Sequence, residues 1–102
     1  MIEKPIKVVA VCGCGMGSSV ILRMNAEEVF SKLGINAIVE VADATTGKGA
    51  ARGADLIVVS SELIYLFKEA AEPVISLTSF VDKKEIYNKL HDWALAKGLI
   101  HS

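Results

Sequence analysis

The chain has 102 residues, 52% hydrophobic and 23% charged, which is enough for one domain burying roughly 65% of its unfolded surface and excludes a disordered tail or a metal-stapled mini-protein. Mean hydropathy is high at +0.44, yet the longest uncharged run, Val8 to Leu22, is broken by Gly13, Gly15 and Gly17 and is shorter than the roughly 18 apolar residues of a membrane span. Eleven basic and twelve acidic residues leave a formal net charge of −1, so no electrostatic footprint for nucleic acid or anionic lipid is present, and the expected partners are small molecules or proteins.

Met1 to Lys7 followed by Val8 to Val11 loosely imitates a secretory signal. The apolar stretch is too short and lacks a small-residue cleavage site. A lipoprotein cleavage site at Cys12 would need a small residue where Val11 stands. The expectation is a cytosolic protein whose two cysteines, Cys12 and Cys14, are reduced thiols.

Ile6 to Val11 is a β-branched apolar run that predicts the first strand. Leu22, Ala26, Val29, Phe30 and Leu33 then recur at helical spacing, with Gly34 as the stop, and predict a helix over Ser19 to Leu33. Ile35 to Val41, Asp55 to Val59 and Val74 to Leu77 repeat the character of the first strand. Such near-continuous apolar strands suit a parallel sheet covered on both faces. Thr45 to Gly53, rich in Gly and Ala, reads as a mobile loop or a single helical turn. Ser61 to Ala71 opens on a capping residue and stops before Pro73, predicting a short helix. The last helix opens with Asp82 and Glu85 at capping-box spacing and Val81 and Ile86 as a hydrophobic staple. Ile86, Leu90, Trp93 and Ala94 form its inner face, and Gly98 ends it. The order β-α-β-(α)-β-α-β-α implies right-handed crossovers and an open four-stranded parallel sheet with helices on both faces. No repeat, linker or second domain interrupts residues 1–102.

The chemistry concentrates between the first strand and the first helix, in Cys12, Gly13, Cys14, Gly15, Met16, Gly17, Ser18 and Ser19. Open α/β sheets bind ligands at that edge. Three glycines at alternate positions let the backbone turn tightly and aim its N–H groups inward, while the helix end adds partial positive charge. Cys12 stands at the mouth of this anion cradle, where amide donors and the helix dipole favour a thiolate. A nucleophile beside a phosphate-sized nest implies phosphoryl transfer through a phosphocysteine. The bland alternative is a tight turn with a small buried hydrophobe at Cys12. The joint presence of strand end, glycines, cysteine and two hydroxyls favours the functional reading. Ser18 or Ser19 can serve as the helix N-cap while also donating to a bound phosphate.

Other motifs fail. Gly13-x-Gly15-x-Gly17 places its third glycine one residue early for a dinucleotide fingerprint, although Glu40 imitates the ribose-binding acid. Gly47-Lys48 is followed by Gly49 where a P-loop has Ser or Thr. Cys12 and Cys14 supply two metal ligands at most, with His91 and His101 far along the chain, so neither a metal nor a cofactor is expected. His91 reads as a boundary residue and His101 as part of a frayed terminus; Trp93 and Phe30 read as core.

The run from Val11 through Ser19, after a short apolar strand in a chain of this length, resembles the enzyme IIB components of the sugar phosphotransferase system. The L-ascorbate type is the nearest likeness, since its loop also reads Cys-Gly-x-Gly-x-Gly-Ser-Ser. The specific part covers Ile6 to Met24. The resemblance implies that Cys12 is phosphorylated by a histidine of enzyme IIA and delivers the phosphoryl group to a sugar held by membrane component IIC, with Cys14 at a variable position. It also implies a cytoplasmic protein that visits the inner face of the membrane through IIC without inserting.

The architecture is similar as well to low-molecular-weight tyrosine phosphatases, whose signature is Cys, five residues, Arg, then Ser or Thr. Here the sixth residue after Cys12 is Ser18, and the loop has no arginine. A hydrolase uses that arginine to grip the phosphoryl group and an Asp to protonate the leaving group and then activate water. Their absence favours a relay that keeps its phosphocysteine intact. A phosphatase or arsenate reductase, and a regulatory nucleotide-binding module, are the alternatives. The expected docking edge, an exposed surface around Cys12, comprises Met16, Thr45 to Gly53 with Lys48 and Arg52, and Ser60, Ser61 and Glu62.

Overall fold

The computed structural model describes residues 5–12, 16–43, 45–79 and 81–100, with the backbone alone for residues 16–19. Four parallel strands form one sheet in the order β2-β1-β3-β4. They are β1 Ile6–Val11, β2 Ala37–Ala42, β3 Leu56–Ser60 and β4 Val74–Leu77. The helices are α1 Met16–Leu33, α2 Gly47–Ala50 and α3 Lys83–Ala96, with a 3-10 helix over Ser61–Phe67. The expected open parallel sheet with helices on both faces is therefore the one observed.

Alternation along the strands sorts the core into two layers. Val8, Ala10, Leu56, Val58 and Leu77 face α1 and α3, where they pack with Leu22, Ala26, Phe30, Ile86 and Leu90. Val9, Val11, Ile57 and Val59 face the opposite side and pack with Ala51, Ala54 and Phe67. Both inner strands are thus apolar on both faces over Val8 to Val11 and Leu56 to Val59, which is why those stretches read as unbroken hydrophobic runs.

The ends of the long helices follow local chemistry. Gly34 has φ +74°, and the amides of Ile35 and Gly34 donate to Phe30 O and Ser31 O, closing α1 with a Schellman motif. The same pair of bonds, Leu99 N to Ala94 O and Gly98 N to Leu95 O, closes α3. At the start of α3, Asp82 accepts from Lys84 N and Glu85 N, as an N-cap should.

Glu85 does not complete the expected capping box. Its carboxylate turns to the loop after β4, accepting from Thr78 N, Thr78 Oγ1 and Ser79 N. Three donors outside the helix outcompete the single amide at Asp82. Val81 remains 68% exposed, so the staple onto the buried Ile86 contributes little packing. The segment after β3 is 3-10 rather than α-helical and ends at Phe67, short of Ala71, because only Phe67 on it is fully buried and little packing rewards a longer regular helix. Thr45 to Gly53 resolves into one helical turn, α2, tied to β2 by Asp43, which accepts from Thr46 N at 2.8 Å and Thr46 Oγ1 at 3.0 Å. Trp93 and His91 are half-buried; Trp93 packs against the α1/α3 layer. His101 lies outside the described residues.

Candidate functional site

β1 is followed in space by β2 on one side and β3 on the other. The connection leaving β1 rises to the α1 face, while the one leaving β3 goes to the opposite face with the 3-10 helix. Loops that depart in opposite directions open a crevice at the carboxyl ends of β1 and β3, the topological switch point where open α/β sheets bind ligands. Cys12 is the residue directly after β1, anchored by its amide, which donates to Ala42 O at 3.0 Å. The sequence thus carries its nucleophile candidate to the one place on this sheet where a crevice is topologically required.

Cys12 is reduced and 3% exposed. Even-numbered residues of β1 face α1 and α3, as Val8 and Ala10 do, and Cys12 is the next position in that alternation.

Of the remaining predicted site residues, Gly13, Cys14 and Gly15 lie outside the described residues. Met16, Gly17, Ser18 and Ser19 form the first turn of α1, which starts three residues earlier than the periodicity predicts. Ser18 and Ser19 are therefore helical and do not serve as its N-cap. Their place carries its own advantage. The amides at the start of a helix have no carbonyl partner within it, so those of Met16, Gly17 and Ser18 are available at the edge where Cys12 ends β1.

Asp43 follows β2 at this same edge. Hydrogen bonds from Thr46 N and its hydroxyl hold its carboxyl below the usual range. Sequence reading passed over it, although Asp followed three residues later by Thr is the pattern of a side-chain-closed turn. Gly47 opens α2 against the end of β1, where a Cβ would stand 2.8 Å from Val11 Cγ1, so only glycine lets this turn pack there. Lys48 and Arg52 line an open groove of about 430 Å³ with Glu69, Glu72, Phe67 and Ile57. Ile57 lies toward the amino end of β3, so these cations sit among local carboxylates on the α2 side. Among the described residues no three His, Cys, Asp or Glu side chains gather at a metal-binding distance, and no helix is long and apolar enough to cross a membrane.

Together, the sheet order and the cysteine beside a helix N-terminus define an α/β protein of the flavodoxin-like and low-molecular-weight phosphatase-like architecture. A family model described as "PTS system, Lactose/Cellobiose specific IIB subunit" matches residues 7–92. The chain is 31% identical over 91 residues to the "Ascorbate-specific PTS system EIIB component" of Mycoplasma pneumoniae, spanning 88% of this chain and 96% of that protein. The lactose-specific IIB domain of the phosphoenolpyruvate:carbohydrate phosphotransferase system from Streptococcus pneumoniae superposes with a TM-score of 0.64 at 16% identity, covering 88% of this chain and 95% of that one. That likeness concerns the fold. The chain belongs to the PTS IIB family of the sugar phosphotransferase system and is a phosphotransferase component of it.

Proposed function

We propose that this protein is a phosphoryl carrier in which Cys12 takes the group from a phosphohistidine of an IIA component and passes it to a sugar, L-ascorbate, held by a membrane IIC component. The observation that carries the proposal is the position of Cys12, at the switch-point crevice and beside the open amides of α1. In the first step the Cys12 sulfur attacks phosphorus; the S–P bond forms as the N–P bond breaks, and the departing imidazole nitrogen keeps the electron pair and takes up the thiol's proton. In the second, a sugar hydroxyl attacks the same phosphorus, the S–P bond breaks, and the thiolate is regenerated as the hydroxyl proton leaves to solvent or to a base on IIC.

Such transfers depend on positioning and on neutralising the equatorial oxygens. The amides of Gly13 to Ser19 supply both in this reading, with the hydroxyls of Ser18 and Ser19 as supporting donors. No metal or cofactor is required. The protein acts as a single IIB domain in the cytoplasm and meets the membrane only through IIC.

The carboxylates with described partners at this edge support a carrier over a phosphatase. Asp43 is spent on Thr46, Asp82 on the first turn of α3, and Glu85 on Thr78 and Ser79. A hydrolase needs a positioned acid and base, and these three carboxylates are held by other partners.

Incubation with the general phosphotransferase proteins, an ascorbate-type IIA and labelled phosphoenolpyruvate should place an alkali-stable, iodine-labile label on Cys12. Cys12→Ser should abolish labelling and Cys14→Ser should leave it. Loss of label in Cys14→Ser alone would reassign the nucleophile, and steady turnover of an aryl phosphate would make the protein a phosphatase. Membranes bearing an ascorbate-type IIC should discharge the label to L-ascorbate. Discharge to galactitol with a galactitol-type IIC, and none to ascorbate, would overturn the choice of sugar.

A further inference from the structure

The register of the sheet gives the crevice a second wall. Val11 pairs with Val59, so Cys12 and Ser60 are the next residues along two adjacent strands, about 4.8 Å apart as neighbouring strands are. Ser60 pairs in turn with Leu77, which belongs to the α1/α3 layer. Ser60 keeps extended geometry, φ −67° and ψ 146°, so the alternation persists through it. Cys12 and Ser60 therefore share a face, on the two strands that flank the switch point.

The chemistry of the neighbours leaves this hydroxyl a distinct place. Ser60 stands at the N-cap of the 3-10 helix, yet its side chain makes no capping hydrogen bond there. Three other hydroxyls at the carboxyl edge engage their own loops. Thr46 Oγ1 donates to Asp43, Thr78 Oγ1 donates to Glu85, and Ser79 Oγ accepts from Val81 N. On the other flank of Cys12 the next strand leads into Asp43, a carboxylate that only accepts. Beyond Ser60 lies the apolar Leu77. A phosphoryl group on Cys12 carries negative charge on three oxygens, and the amides of α1 approach it from one side. A donor is needed on the β3 side, and Ser60 is half-buried there.

We infer that Ser60 is a catalytic residue of the phosphoryl transfer, its hydroxyl donating to an equatorial oxygen of the group on Cys12. The inference rests on Cys12 being the phosphorylated residue. Its contribution lies in steadying charge on the phosphoryl group, so it acts in both charging and discharge.

The test compares Ser60→Ala and Ser60→Thr with the unaltered chain, measuring the rate of label transfer from phosphorylated IIA and the ³¹P chemical shift of the phosphocysteine. Ser60→Ala should slow transfer roughly tenfold or more, the loss expected when a hydrogen bond to a charged group disappears. The ³¹P resonance should shift in the same variant, while the thermal unfolding midpoint stays put. Ser60→Thr, which keeps the hydroxyl and suits extended backbone, should recover most of the rate. A Ser60→Ala protein that labels on Cys12 at the unaltered rate with an unaltered ³¹P shift overturns the inference and leaves the carrier reading standing. Absence of label on Cys12 in the unaltered chain overturns the carrier reading, and the inference with it.

Discussion

The two faces of the sheet are held by different means. On one, α1 and α3 run for 18 and 14 residues, and Leu22, Ala26, Phe30, Ile86 and Leu90 bury an unbroken apolar layer against the strands. On the other, cover comes from a single turn, α2, and a 3-10 helix, with Phe67 the largest fully buried residue they add. Short elements cannot bury enough surface to fix themselves, and polar clips do the rest: Asp43 closes the turn before α2, and Glu72 accepts from Gly53 N at 3.0 Å. Cys12 follows Val8 and Ala10 in the alternation that faces the first side. Its amide is held by Ala42 O of the neighbouring strand, and the more weakly built side carries the groove and its mixed charges.

The largest effect that would break this contrast is in the two phenylalanines. Phe30→Ala should cost about 3–5 kcal/mol, and Phe67→Ala at least about 1 kcal/mol less, because the shorter element relaxes around the gap. Chemical unfolding of both variants checks it; equal losses would mean that the 3-10 face is packed as firmly as the other.

A second prediction lies where the weak face touches the site. Gly47→Ala places a methyl 2.8 Å from Val11 Cγ1 and should destabilise by about 1–3 kcal/mol, as overpacking does. Because Val11 precedes Cys12, label transfer from phosphorylated IIA should slow as well. A fully stable, fully active Gly47→Ala would show that α2 drifts freely from β1.

Glu85 sharpens the comparison through pH. Burial pushes its carboxyl up, but donors at Thr78 and Ser79 and the Lys89 ammonium outweigh that and hold it at about 2, against an ordinary 4.5. A carboxyl lowered on folding contributes its stability fully above the unfolded value and loses it as pH falls through the folded one. The contribution should therefore be complete above about pH 4.5 and fade toward pH 2. Glu85→Gln should cost about 1–2 kcal/mol near neutrality, with the difference vanishing at the acid end. A pH-independent difference would place the loss in packing instead of charge.

The smallest effect is expected at the sheet edge. Lys7 Nζ and Glu40 Oε2 stand 3.9 Å apart with both side chains well exposed, so Glu40→Gln should change stability by less than about 0.5 kcal/mol. A larger loss in denaturant titration would mean that the edge strand relies on this pair.

Much of this was readable along the chain. The β-branched runs, the Leu22–Ala26–Phe30 spacing, the glycine stops and the Asp82 cap are local signals, and each depends on a few neighbouring residues and the period of one element. Cys12 was legible for the same reason, as a cysteine at a strand end before glycines and a helix. Local patterns determined the element order, and the right-handed crossover rule carried that order to a parallel open sheet.

Tertiary structure decided what depends on residues far apart in sequence. No local signal pairs Val11 with Val59, and that register alone brings Ser60 alongside Cys12. Glu85 left its capping role because Thr78 and Ser79 offered three donors once β4 had docked. Gly47 is needed only because α2 packs on Val11, 36 residues earlier in the chain. Cys12 is buried at the end of a strand that runs between β2 and β3, a place that only the sheet order assigns. Periodicity records which side of an element is apolar; which partner meets that side, and in what register, is set by the packing of the whole sheet.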